Sequence, residues 1–277
     1  MQAYIPDIVR RAGTLVGATD SHGSPTEISA CWASDDGELR AAQRLRYQVF
    51  VGEMGASHQT QVGAGDRFES DRFDPYCDHL LIKVCHPWSG SSNRVIGTTR
   101  VLRPVQAERA GGYYSDTAFD LRAIDALRPH ALEMGRTCVH PDWRNGTVIM
   151  TMWRALGQFM AAHQLDSLLG SASISLNDAG YSAAVIWQRL RGAHLAAAAW
   201  QVCPRDPLPI EQLLAQPSSD TSVAPIITPP LINGYLRCGA QLLGPPARDV
   251  LFNTADLPMM LRLDDLTPRY RKHFLGL

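Results

Sequence analysis

Several features that mark other classes of protein are missing from this sequence of 277 residues. No stretch approaches the roughly 20 consecutive apolar residues that a membrane-spanning helix needs. The N-terminus lacks the charged-then-apolar order of a secretory signal. The six cysteines form no CxxC pair and no Cys/His cluster with zinc-site spacing. These absences predict a reduced cytoplasmic protein without a structural metal.

A strong net charge is missing as well. The formal net charge is −1, so there is no global electrostatic footprint for nucleic acid. Only Lys83 and Lys272 are lysines, and arginine carries the rest of the positive charge. An acidic partner therefore has to meet a local basic patch. The hydrophobic share of 45% is enough for a sizeable core in a soluble globular chain.

The order of predicted elements indicates an α+β (α/β mixed) fold. A helix is predicted for residues 37–55, because apolar side chains recur there at helical spacing. Two strands, 79–86 and 94–103, are typical of an antiparallel hairpin. A strand–turn–helix–strand–helix run follows over residues 132–192. We expect a central mixed, mostly antiparallel sheet flanked by helices, with a C-terminal extension.

The domain organisation follows from the same reading. Residues 1–36 are predicted to be a loosely ordered lead-in, and residues 37–277 a single domain. Its core is expected to run to residue 203, with a C-terminal portion, 204–277, packed on it.

The stretch "LEMGRTCVHPDWRNG", residues 132–146, combines a strand pattern with charges of both signs. An ordinary core strand avoids residues such as Glu133 and Arg136 unless they are paired. Strict alternation places these two on opposite faces, but a β-bulge near Met134–Gly135 would bring both to one side. The strand then feeds an apolar helix, whose N-terminal N–H groups can hold a phosphate.

The motifs along the chain resemble those of a known superfamily. The strand–"RNG"–helix–strand order resembles the Gcn5-related N-acetyltransferases (GNAT). From about residue 40 to the C-terminus the sequence resembles the ornithine N-acyltransferases of ornithine-lipid synthesis. The acyl-homoserine-lactone synthases are similar more distantly. The segments that carry the resemblance are "LRYQVFVGEMGA", "FDPYCDHLLI", "VIGTTRVL", "YYSDTAFDL", "LEMGRTCVHPDWRNG", "LLGSAS" and "PPLINGYLRCGA".

The resemblance implies transfer of a long, 3-hydroxylated acyl group from acyl carrier protein to the α-amine of ornithine, giving a lyso-ornithine lipid. No cofactor is expected beyond the donor's own acyl-phosphopantetheine. The usual superfamily loop is Gln/Arg-x-x-Gly-x-Gly/Ala, and this turn lacks its later glycines, which argues against acetyl-CoA as donor. The residues expected to bind the phosphopantetheine are Val139, Arg144, Asn145, Gly146 and Thr147.

Acceptor-binding residues are also predicted. Asp71 and Asp74 can receive the cationic side chain of a diamino acid, while Arg46 or Arg100 can hold its carboxylate. Phe50 belongs to the same pattern of residues. For Arg46 the alternative is a snorkelling arginine at the rim of the helix. A second acidic pair, Asp66 and Glu69, is expected to lie in a solvated loop.

Catalysis requires a base for the amine and donors for the oxyanion. Glu133 is the predicted base, because burial can raise the pKa of a carboxylate. Arg136 and a backbone N–H freed by the bulge complete the predicted site. The alternative is that Glu133 and Arg136 are structural, as an ion pair that fixes the helix or the acidic loop. Covalent catalysis by Cys138 is a weaker alternative, since a buried cysteine usually acts as a small apolar residue.

Two other functions stay open. The same fold could acylate glutamine, glycine or lysine, or the chain could be a non-catalytic module that binds acyl carrier or a membrane surface. The C-terminal "PRYRKHF" fits anionic headgroups, so a peripheral contact with the inner membrane is expected. No histidine has an aspartate five residues on, so the H-x₄-D pair of glycerolipid acyltransferases is missing, and a different enzyme must add an ester-linked second chain.

Overall fold

The computed structural model describes residues 16–19, 25–56, 61–63, 66–85, 94–144, 146–215 and 225–275. The predicted mixed α+β class is confirmed. The strands are β1 (Val16–Thr19), β2 (Pro25–Trp32), β3 (Gln61–Gly63), β4 (Asp66–Phe68), β5 (Asp78–Cys85), β6 (Arg94–Leu102), β7 (Phe119–Asp120), β8 (Ala131–Val139), β9 (Ser167–Ser175), β10 (Cys203–Pro204), β11 (Gln241–Leu242), β12 (Ala247–Asp249) and β13 (Thr254–Arg262).

The helices differ widely in length. They are α1 (Asp36–Arg46), α2 (Pro104–Ala110), α3 (Gly146–Ala162), α4 (Tyr181–His194), α5 (Ile210–Ala215), α6 (Pro230–Cys238) and α7 (Pro268–Leu275). A wider π-helical turn, Tyr47–Glu53, continues α1 directly. There the N–H of Met54 donates to the carbonyl of Val49, five residues back, at 3.0 Å. π-Helical turns are rare in proteins, and those that occur are often found at functional sites.

Two compact units make up the chain. The first comprises residues 1–110, 134–165 and 268–277, and the second comprises residues 111–133 and 166–267. The prediction of a single domain over 37–277 stays a prediction.

The first unit contains strands in the order β1–β2–β5–β6–β8, and the pairs from β1 to β6 are antiparallel. Ile28 pairs with Val84 across β2 and β5, and Leu80 pairs with Thr99 across β5 and β6. This register confirms the predicted hairpin of β5 and β6. Its connecting loop, residues 86–93, lies outside the described residues.

The prediction of a loosely ordered lead-in is wrong for residues 25–32. These residues form β2, whose Ile28, Ala30 and Trp32 are buried. The alternation in "PTEISACW" is a strand pattern, but it follows the turn-forming "TDSHGS", which masked it in the sequence. β2 thereby supplies one face of the core on which α3 packs, through the contact of Trp32 with Phe159 at 4.2 Å between ring centroids.

Helix α3 is the apolar centre of the first unit. Met152, Leu156, Phe159 and Met160 are fully buried, so the methionine- and tryptophan-rich stretch forms core. Phe274 of α7 packs on Trp153, with 5.4 Å between ring centroids. No helix within the described ranges is long and apolar enough to cross a membrane.

The second unit is built on the pairing of β9 with β13. All nine residues of each strand pair antiparallel, from Thr254 with Ser175 to Arg262 with Ser167. β11 and β12 also pair with β13. The same unit contains short 3₁₀ turns, Tyr114–Thr117 and Arg122–Ile124. A run this rich in glycine and aspartate favours turns over a helix.

Candidate active site

A cluster of six buried or half-buried charges lies within the first unit, and we call it the charge cluster. Its cations are arginines from α1, β6 and β8, and its anions come from the segment that follows β4. The members are Arg46, Arg100, Arg136, Glu69, Asp71 and Asp74. Equal numbers of opposite charges make the cluster formally neutral, which is what permits its burial.

Arg46 and Glu69 form the innermost pair. Their side chains are 1% and 0% exposed and are joined through both Nε and Nη2 of the arginine. Nη1 of Arg46 also donates to Oδ1 of Asp74 at 2.9 Å. Gln43, one turn earlier in α1, donates to the other oxygen of Asp74 at 2.9 Å. The last turn of α1 is therefore fixed to the acidic segment by charge-assisted hydrogen bonds.

The other two arginines complete the cluster from the sheet. Arg100 holds Asp71 in a bidentate pair, with distances of 2.6 and 2.7 Å, and also contacts Asp74. Arg136 donates to Glu69 at 3.1 Å and to Asp71 at 2.9 Å. Each carboxylate of the cluster thus contacts two arginines. The side chains of Asp71 and Arg136, 14% and 9% exposed, form the rim of the cluster.

The electrostatics agree with a fully ionised cluster. Burial alone would raise the pKa of Asp71, but the hydrogen bonds and charge of Arg100, with the charge of Arg136, lower it to about 2. Burial likewise opposes the charge on Asp74, yet Arg46 and Arg100 hold its pKa below the ordinary value. Burial lowers the pKa of His79 to about 4, so this histidine is neutral beside the cluster at neutral pH. Its Nε2 lies 3.1 Å from the carbonyl of Asp74.

The expectation that Glu69 lies in a solvated loop is wrong. Glu69 is fully buried, because an arginine within the apolar stripe of α1 requires an anion and Glu69 supplies it. Arg46 is directed into the molecule, where its partners are Glu69 and Asp74, so the snorkelling alternative is wrong. That it holds the carboxylate of the acceptor stays a prediction. Asp66 lies nearer the surface and pairs with the exposed Arg44 at 2.8 Å. A segment with five carboxylates gives no sequence signal for which one is buried.

Strand β8 departs from regular geometry at Arg136. Its φ is +52°, a left-handed conformation that residues with a side chain seldom adopt. This irregularity lies one residue beyond the predicted bulge at Met134–Gly135. The ion pairs to Glu69 and Asp71 offset the backbone strain. Arg136 is thereby directed to Glu69 and Asp71 of the acidic segment, and its role in catalysis stays a prediction.

Glu133 has different partners. It lies at the end of the second unit's part of β8 and is buried. One carboxylate oxygen accepts from the N–H of Tyr114 at 2.6 Å, and the other accepts from the N–H of Ser115 at 2.7 Å. Glu133 therefore anchors the 3₁₀ turn Tyr114–Thr117. Its catalytic role stays a prediction.

The turn after β8, residues 140–147, is the predicted donor site, and we call it the donor turn. Val139 is buried, and its carbonyl accepts from Nε of Arg144 at 3.2 Å. Arg144 also forms a bidentate pair with Glu53 of the π-helical turn, with distances of 2.6 and 2.5 Å. Gly146 and Thr147 begin α3, while Asn145 lies outside the described residues.

Phe50 and Cys138 meet between the π-helical turn and β8. Phe50 packs on a buried group formed by Leu45, Val49 and Cys138. Burial raises the pKa of the Cys138 thiol to about 12. A thiol with this pKa is not a thiolate at neutral pH and is a poor nucleophile, which argues against an acyl-cysteine intermediate.

Comparison with known proteins agrees with this architecture. The acetyltransferase (GNAT) domain family matches residues 45–154. The L-ornithine N(alpha)-acyltransferase of Rhodobacter capsulatus is 33% identical over 91% of this chain and 96% of its own length. The chain belongs to this family. It is an N-acyltransferase of the GNAT type.

Solved structures are similar to this chain, and one of them, with a TM-score above 0.5, shares the fold. FeeM, an N-acyl amino acid synthase from uncultured soil microbes, covers 89% of this chain and 97% of its own, with a TM-score of 0.52 and 10% identity. The AHL synthase LasI covers 92% of this chain and 96% of its own, with a TM-score of 0.45 and 13% identity. At such identities the likeness concerns the fold alone.

The charge cluster yields a direct prediction on stability. Glu69→Gln keeps the shape of the side chain but leaves Arg46 and Arg136 with an excess of buried positive charge. We expect the free energy of unfolding in urea to fall by about 3–5 kcal/mol. Asp66→Asn, in the same segment, removes only a surface pair and should leave stability nearly unchanged. Small and equal losses in the two variants would contradict the burial of Glu69.

Proposed function

We propose that this chain transfers a long-chain 3-hydroxyacyl group from acyl carrier protein to the α-amine of L-ornithine, giving a lyso-ornithine lipid. The observation that carries the proposal is the 33% identity, over nearly the whole length, to a protein named L-ornithine N(alpha)-acyltransferase. A Brucella abortus protein of the same name is 31% identical over 87% of this chain. The acyl carrier protein as donor and the hydroxylated chain rest on the sequence resemblance.

The donor turn provides the groups that a phosphopantetheine arm needs. Gly146 and Thr147 present backbone N–H groups at the start of the 17-residue helix α3, where the helix dipole favours an anion. Apart from its chain neighbours and the backbone of its own helix, a Cβ at position 146 would meet no atom of the described residues within 4 Å. Arg144 can exchange its surface partner Glu53 for the phosphate. Val139 supplies the strand edge next to the arm, and Asn145 belongs to the proposed set from its sequence position.

On the acceptor side we propose that the rim of the charge cluster binds the amino acid. Asp71 is the rim carboxylate for a cationic side chain, and Arg136 is the rim cation for a carboxylate. The members behind them, Arg46, Arg100 and Asp74, have partners within the cluster. Their contribution to substrate binding is to hold the rim in place. The half-buried ring of Phe50 adds an apolar wall.

The proposed reaction is direct attack. The amine nitrogen bonds to the thioester carbonyl carbon, the C–S bond breaks, and the carrier thiol takes up a proton. The amine must lose a proton, and Glu133 is the proposed base. Its two oxygens each accept one backbone N–H, which fixes the orientation of the carboxylate toward the amine or a bridging water that it would deprotonate. Cys138, a buried thiol, takes no covalent part.

A peripheral membrane contact is proposed through α7. Arg269, Arg271 and Lys272 are exposed, while Phe274 is buried and packs on Trp153. Arg269 and Lys272 lie on the helix face opposite Phe274, because each residue advances by about 100°, and Arg271 flanks that face. A cationic face of this kind fits anionic lipid headgroups.

The function is tested with the purified chain, a 3-hydroxyacyl carrier protein and a panel of amino acids. We expect release of free carrier thiol with ornithine as the best acceptor, and an amide at its α-nitrogen by mass spectrometry. Faster acylation of glutamine, glycine or lysine would refute ornithine as the substrate. Carrier binding without any thiol release would favour the non-catalytic module.

The role of Glu133 is tested in the same assay. If Glu133 is the base, Glu133→Gln should lower kcat by about 100-fold or more and remove the acid limb of the pH–rate profile. The free energy of unfolding, measured alongside, reports the loss of the anchor for Tyr114–Thr117. A stable variant with full kcat would make Glu133 structural only.

The membrane contact is tested by flotation with vesicles of anionic or zwitterionic lipid. A triple variant of Arg269, Arg271 and Lys272 to Gln should weaken binding to anionic vesicles on the order of 100-fold. A matched triple variant of the exposed Arg109, Arg122 and Arg237 to Gln changes the net charge equally and should bind as the parent does. Equal losses in both would refute a site on α7.

A further inference from the structure

His140 lies where β8 ends and the donor turn begins. Its side chain is buried, and the residue is 6% exposed. Its backbone N–H donates to the carbonyl of Ile96 on β6 at 2.8 Å. Behind it stands the 3₁₀ turn Pro141–Trp143, which leads into Arg144. No step of the reaction above uses this imidazole.

Both ring nitrogens of the imidazole have partners. Nε2 lies 2.7 Å from Nη2 of Arg94 and 3.0 Å from Nε2 of Gln48. A guanidinium has no acceptor, so the histidine nitrogen facing it must be unprotonated. At the other nitrogen, Nδ1 accepts from the backbone N–H of Asp142 at 3.3 Å and lies 3.6 Å from a carboxylate oxygen of the same residue.

These contacts join three segments of the first unit. Gln48 belongs to the π-helical turn, Arg94 begins β6, and Asp142 lies in the donor turn itself. The Arg144–Glu53 pair is a second link between the donor turn and the π-helical turn. That pair is exposed to solvent and screened, whereas the contacts of Nε2 are half-buried, because the imidazole is buried while Gln48 and Arg94 are exposed. The link through His140 is therefore the better shielded of the two.

We propose that His140 is a positioning residue for the acyl donor, whose unprotonated Nε2 holds the donor turn to Gln48 of the π-helical turn and Arg94 of β6. The N-terminus of α3 is thereby kept in place for the donor's phosphate. The inference rests on the proposed function, because it takes the donor to bind at this turn.

The same geometry makes the link sensitive to acid. Burial, with the positive charges of Arg94 and Arg144, lowers the pKa of His140 below 6.5, while Asp142 and Glu53 oppose this effect. Protonation would place an N–H of Nε2 against the guanidinium of Arg94, and that contact would be lost, while Gln48 can turn its amide and accept instead. The donor turn is then released from Arg94 of β6 as the pH falls through the pKa of His140.

The variant His140→Gln distinguishes the hydrogen-bonding role of residue 140 from the effect of protonating the imidazole. A glutamine carbonyl can occupy the place of Nε2 as an acceptor, and it does not ionise between pH 5 and 8. His140→Leu supplies no acceptor at any pH. We expect the donor KM of the parent to rise about 10-fold on acidification, since the contact with Arg94 is lost. The Gln variant should keep a low and flat KM, the Leu variant a high KM throughout, and kcat should change much less in each.

A readout without substrate separates this inference from the proposed function. Hydrogen exchange of the backbone amides of residues 141–148 is measured in the full chain at pH 5 to 8, corrected for intrinsic rates. The parent should lose protection in acid, and the Gln variant should not. Gln48→Leu should weaken protection at every pH, while Gln158→Leu, at an exposed position on α3, serves as the control.

Each outcome of these measurements supports or refutes the positioning role of His140 or the proposed function. Acid release of the amides without any ornithine acylation would leave the positioning role intact and refute the proposed function. If His140→Gln keeps the parent's acid-dependent rise in donor KM and in amide exchange, His140 does not position the turn. Should His140→Leu fail to fold, the Gln and Gln48 variants still give this answer.

Discussion

The contact between Arg46 and Glu69 is the interaction on which the site in the first unit depends. Both side chains are out of solvent, and a single buried charge would be far too costly without its partner. Each of the two also pairs with a further member of the cluster, Arg46 with Asp74 and Glu69 with Arg136. Helix α1, the acidic segment and strands β6 and β8 are held together as a consequence.

Burial of so many charges has a consequence for chemistry. The pKa of Asp71, about 2, means that the rim carboxylate is always ionised at neutral pH, and Arg136 beside it is always a cation. A zwitterionic amino acid would meet fixed charges rather than titrating ones. The strained backbone at Arg136 fits this view, because strain of this kind is retained where surrounding structure over-determines it. The charge cluster would then bind the acceptor, whereas proton transfer is the role that we propose for Glu133.

The sequence contained more of the fold than of the site. Apolar residues at helical spacing predicted α1 and α3. Alternating apolar residues on either side of a turn predicted β5 and β6. Both patterns can be read from the sequence because they are local. β2 was missed because its alternation borders a turn-rich stretch. Arg46 could be assigned to the interior, as it interrupts an apolar stripe. Glu69 could not be assigned to the interior from the sequence. Which of the neighbouring carboxylates is buried depends on how the segment after β4 packs against two strands. The partners of Glu133 are likewise set by tertiary structure.

A double-mutant cycle on the innermost pair tests the central claim most directly. The free energy of unfolding is measured for the parent, Arg46→Met, Glu69→Leu and the double variant. Each single change leaves the cluster with an unbalanced buried charge, while the double change restores equal numbers of both signs. We predict that the double variant loses at least about 2 kcal/mol less than the sum of the singles. Additive and small losses would contradict a buried, charge-balanced cluster as the basis of this site.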